Sequence, residues 1–135
     1  MSARTEQRVG IHQARSEGKV TFLMVRGSVT GADAEAWVRY VDTVVPQGEP
    51  VFMFCDLGQM GDGVFEPEGR RLLIEWAFRR GTPLTMAYVN TSEQMRTMLL
   101  LMQLGSELSG QRPTLNFFST ESAARGWLTA LGAEF

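Results

Sequence analysis

The sequence predicts an α/β fold built on a mainly parallel sheet, and three observations carry that prediction. Apolar runs of strand length alternate with segments of helical periodicity from residue 20 onward. The run over residues 51–55 is apolar at every position, as in a strand covered on both faces. The helical segments also carry start and stop residues at the expected places. The predicted order is ββαβαβαβα: five strands, one of them an antiparallel edge strand, and four helices. Right-handed crossovers would join the parallel strands.

Taken in order, residues 9–15 alternate loosely and read as the first strand, preceded by a disordered lead-in. A turn over residues 16–19 leads into the strong strand at residues 20–26, so the pair reads as a β-hairpin. Thr30 is placed to cap a helix running to about Val45, with Ala34, Trp37, Val38, Val41, Val44 and Val45 on one face. After the break between Pro46 and Pro50 comes the apolar strand, then a glycine-rich loop over residues 56–63. Pro67 suits the first turn of a helix that continues to Arg80 and stops at Gly81. Leu84–Val89 is the next strand. Thr91, Ser92, Glu93 and Gln94 offer a capping start for a Met- and Leu-rich helix over residues 95–108. Thr114–Phe118 is the last strand. Ser119 or Thr120 then caps a final helix whose Ala124, Trp127, Leu128 and Leu131 face inward.

At 135 residues the chain suits a single domain with a sizeable core. A net charge of -2 leaves no basic excess for phosphate contacts, which argues against nucleic acid as a partner. Cys55 is the single cysteine, so an intrachain disulfide is excluded and a reducing, cytoplasmic setting is expected. The polar N-terminus lacks the apolar core of a signal peptide, and no run approaches the ~18 apolar residues of a membrane span.

Three segments carry a family resemblance. They are Val51-Phe52-Met53-Phe54-Cys55-Asp56-Leu57-Gly58, Glu66-Pro67-Glu68-Gly69-Arg70-Arg71-Leu72-Leu73, and the stretch from Asn116 through Ser119, Thr120 and Arg125 to Trp127 and Leu128. In this order and spacing, across residues 20–131, the chain resembles the STAS domain, the fold of anti-sigma-factor antagonists. The nearer likeness is to the SpoIIAA-like, STAS/SEC14-type small bacterial proteins. The resemblance implies a regulatory, protein-binding module. Antagonist-type members carry a phosphorylatable Ser or Thr after the Asp-Leu strand. Residues 61–67 here contain no hydroxyl side chain, so that switch is expected to be lost. Glu66 reads as a first-turn acid that favours the helix dipole.

The residues offer little for catalysis. His12 reads as an ordinary strand histidine and Cys55 as a buried, inert thiol. Asp56 and Asp62 flank the loop that also contains Gly58, Gly61 and Gly63. They are candidates for a ligand or cation, although turn chemistry explains them as well. No metal or organic cofactor is called for. An enzyme using the Asp56–Asp62 loop remains an alternative, and so does a small carrier of lipid or other apolar ligands.

Two helix surfaces are less ordinary. On the helix from Pro67, Leu72, Leu73, Trp76 and Ala77 face inward, while Glu68, Arg71, Glu75 and Arg79 form an outward charged stripe. Ile74 and Phe78 fall beside that stripe, away from the core. On the next helix Met95, Met98, Leu99 and Met102 suit the core, and Leu100, Leu101 and Leu104 extend the apolar arc beyond it. These two arcs are expected to form one interface, either for an unknown protein partner or for a second copy in a homodimer.

Overall fold

The computed structural model describes residues 5–108 and 113–135, with side chains from 6–107 and 113–135. Six strands form one sheet: β1 (Thr5–Val9), β2 (His12–Glu17), β3 (Val20–Met24), β4 (Val51–Asp56), β5 (Leu84–Val89) and β6 (Thr114–Phe118). They lie side by side in chain order, β1-β2-β3-β4-β5-β6. The first three form an antiparallel meander, and β3 through β6 are parallel. The helices are α1 (Gly31–Val44), α2 (Pro67–Arg80), α3 (Glu93–Leu108) and α4 (Glu121–Ala130).

The expected α/β class and four helices are present, and the N-terminal region differs from expectation. Where one strand over residues 9–15 was anticipated, Thr5–Val9 and His12–Glu17 form a hairpin pair, turning at Gly10 with φ of 63°. Thr5–Val9 is therefore the antiparallel edge, and the expected first strand is enclosed between β1 and β3. The polar composition of Thr5–Val9 concealed it: over residues 6–9 this edge strand buries Val9 and leaves the other three exposed. The expected disordered lead-in falls on the first few residues, of which 1–4 lie outside the described residues.

Local chemistry explains the helix boundaries. The Thr30 hydroxyl accepts from the Asp33 amide while the Asp33 carboxylate accepts from the Thr30 amide, a reciprocal box that starts α1. Pro67 opens α2, and Gly81 closes it in the left-handed region at φ 71°. Ser92 accepts from the Met95 amide at the head of α3, and Thr120 caps α4.

Consecutive parallel strands joined by right-handed crossovers and added in one direction put every crossover helix on the same side of the sheet. The core divides accordingly. α1, α2 and α3 bury Trp37, Val41, Trp76, Met95 and Leu99 against Leu23, Met53, Cys55 and Tyr88 on one face. α4 covers the other face alone, setting Ala124 and Leu128 on Val20, Phe22, Phe52, Phe54 and Val89. Leu131 was expected to face inward with them, but it lies just beyond α4 and is exposed.

Candidate functional site

α2 and α3 run side by side: a Cβ on Gly105 would sit 3.5 Å from Ile74 Cδ1. Phe78 follows Ile74 by one helical turn, and Leu101 precedes Gly105 by one turn, so both flank this seam. Phe78 is 58 % exposed, Leu101 62 %, Leu104 49 % and Leu100 45 %. Half of the eight large apolar side chains that are exposed among the described residues therefore lie on these two adjacent helices, a candidate patch. Leu100 sits further round α3 from the seam than Leu101 or Leu104. Ile74 differs from its expected placement: it is half-buried and lines a partly open cavity beneath the helices.

A charged stripe borders the patch. Arg71 pairs with both Glu68 and Glu75, which raises the guanidinium pKa and lowers that of Glu68. The three side chains hold one another along the exposed ridge of α2.

The loop after β4 is organised as a turn. Asp56 Oδ1 accepts from the Gly58 amide at 2.9 Å and from Asn90 Nδ2 at 3.2 Å. Asp62 is exposed on the same loop. Gly63 lies so close to the preceding β3–α1 connection that a Cβ would come 2.5 Å from the Gly27 carbonyl carbon. Glu66 is the exposed N-cap of α2. Its side chain makes no capping bond, while its amide donates to Val29 O at 2.9 Å. Among the described residues no three His, Cys, Asp or Glu side chains come together as metal ligands. Ligand crevices in open α/β sheets form where the strand order reverses. This sheet runs from β1 to β6 without reversal, so the Asp56 loop has no such crevice beside it.

His12 is more than an ordinary strand residue. It is 1 % exposed and uses both ring nitrogens. The Arg26 amide donates to Nδ1 at 3.0 Å, so the ring proton resides on Nε2, which lies 3.1 Å from both Ser28 O and Asp33 Oδ2. With both nitrogens engaged, the ring works as a latch between the β1–β2 hairpin and the start of α1. Gly10 belongs to this contact, because a Cβ there would fall 2.0 Å from Asp33 Oδ1. The sequence separates His12 from Asp33, although the Thr30-to-Asp33 capping spacing was a readable signal. A second unforeseen tie joins α1 to α2: Asp42 Oδ1 accepts from Trp76 Nε1 and Arg80 Nη1, each at 2.9 Å.

Cys55 is fully enclosed. Burial first, then the neighbouring Asp56 charge, pushes its thiol up to about 12, so it is not a thiolate near neutral pH.

Compared with known proteins, the sequence matches no family model and no curated protein. No helix of the described residues is long and apolar enough to cross a membrane.

Proposed function

We propose that this chain is a non-catalytic, STAS-like binding module that recognises a protein partner through the outer surfaces of α2 and α3. The exposed cluster of Phe78, Leu100, Leu101 and Leu104 carries the reading. Aromatic and aliphatic side chains beside Arg71 and Glu75 make an apolar centre with a polar rim, the usual anatomy of a recognition surface. The residues most able to do chemistry are otherwise occupied. His12 is saturated with hydrogen bonds, Cys55 is enclosed, and Asp56 stabilises a turn. The lack of a hydroxyl residue over residues 61–67 supports recognition without the phosphorylation switch of antagonist-type relatives.

The test is an affinity capture from the native host, with light scattering of the purified protein alongside. A partner, or self-association, retained by wild type and lost in both Phe78→Glu and Leu101→Glu is the expected result. Circular dichroism should show both variants folded. Retention of every interaction by both folded variants would overturn the proposal.

A further inference from the structure

Beneath α2 and α3, on the sheet side, lies a cavity of about 70 Å³. Its floor draws on four adjacent strands: Leu23 of β3, Met53 and Cys55 of β4, Leu84, Met86 and Tyr88 of β5, and Leu115 of β6. At the usual ~4.8 Å strand spacing these strands limit its length across the sheet to about 14 Å. That length against so small a volume describes a narrow slot. A guest that fills such a slot would gain packing contacts along its whole lining.

The lining specifies the occupant's chemistry. Met53, Met86 and Met102 supply unbranched, adaptable side chains able to yield to a slender guest. Among the described residues the lining contains no Lys or Arg, and its one carboxylate, Asp33, already serves His12 and Thr30. An anionic headgroup would meet no counter-charge there. The polar handles are neutral. Tyr88 is buried, and burial holds its phenol protonated. Its hydroxyl donates to the Met86 thioether at 3.3 Å, an acceptor far weaker than oxygen. Ser106 is also buried at the cavity wall.

We infer that this slot binds a small neutral molecule with an unbranched aliphatic chain and one hydroxyl or carbonyl oxygen. The chain lies along the methionines and the oxygen replaces Met86 sulfur as partner of the Tyr88 hydroxyl. The site is distinct from the exposed face proposed for protein recognition, and Leu101 on that face does not line it.

The series 1-butanol, 1-pentanol, 1-hexanol and the hexanoate anion at pH 7 serves as probe. Binding is read from the ε-methyl resonances of Met53, Met86 and Met102. Saturable shifts are expected, with affinity rising about fourfold per added methylene and hexanoate binding at least about tenfold more weakly than 1-hexanol. Tyr88→Phe should weaken 1-hexanol about fivefold through the lost hydrogen bond. Ala77→Leu fills the slot and should abolish the shifts. Ser106→Leu does the same from the opposite wall, should the first variant fail to fold. Leu101→Glu should bind as wild type does. The inference is overturned if wild type shows no saturable shift, if the filled variants bind unchanged, or if hexanoate binds as tightly as the alcohol. Loss of binding in Leu101→Glu would also overturn it by locating the probe on the outer face.

Discussion

α1 and α3 cover the same face of the sheet, yet they are held in opposite ways. α1 hides its large apolar side chains: Trp37, Val38, Tyr40 and Val41 are all buried. Polar bonds tie it on both sides, through Asp33 to His12, through Tyr40 to Ser16 at 2.6 Å, and through Asp42 to Trp76 and Arg80. α3 buries Met95 and Leu99 but leaves Leu100, Leu101 and Leu104 in water. Its outer flank is held to the edge strand by Arg96, 4.8 Å over the Phe117 ring, and by Gln103 bonding Pro113 O. Directional bonds define one arrangement for α1. Weakly directional contacts, a neighbouring slot and a surplus of leucine leave α3 with apolar surface to share.

The strongest way to break this contrast is to remove the latch on the α1 side. His12→Ala deletes a buried ring, strands the Arg26 amide and takes from the Asp33 carboxylate one of its two partners, leaving it the Thr30 amide. Urea unfolding should show a loss of about 4 kcal/mol. A pair of substitutions within α3 sharpens the comparison. Leu99→Ala should cost about 3 kcal/mol by enlarging an existing void, whereas Leu104→Ala should stay within about 0.5 kcal/mol. Equal costs would erase the distinction between the two sides of that helix.

The smallest of the larger effects concerns the opposite face of the sheet. Glu17 bonds Arg125 through two contacts, at 2.9 and 3.0 Å, and Arg15 at 2.6 Å. Arg125 first, and then Arg15, draws its carboxyl pKa down to about 2 from the ordinary 4.5. Because the folded-state value lies below the unfolded one, the stabilisation is complete above pH 4.5 and fades as pH falls toward 2. After allowance for solvent screening it amounts to about 1 kcal/mol. Unfolding of wild type and Glu17→Gln at pH 6 and pH 3 measures it: the difference between the two proteins should shrink at the lower pH.

Local signals made much of the architecture legible. Pro67 and Gly81 bracket α2, the alternation of apolar runs marks the parallel strands, and Thr30 marks the start of α1. The outward positions of Phe78, Leu100, Leu101 and Leu104 followed from helical periodicity alone. What escaped depended on tertiary contact. Thr5–Val9 looks polar because it lies at an edge. His12 gains its role only when the hairpin crosses the head of α1. Ile74 turns toward the seam with α3, where it faces Gly105 on a different helix.

The uninterrupted strand order has a consequence for assembly. Each strand hydrogen-bonds only to those just before and after it along the chain, so no later segment must be threaded between two already joined. The sheet can grow outward from any seam, one layer of chain at a time. The two border strands, β1 and β6, each depend on a single seam, and reversible opening should begin there while the middle of the sheet stays closed.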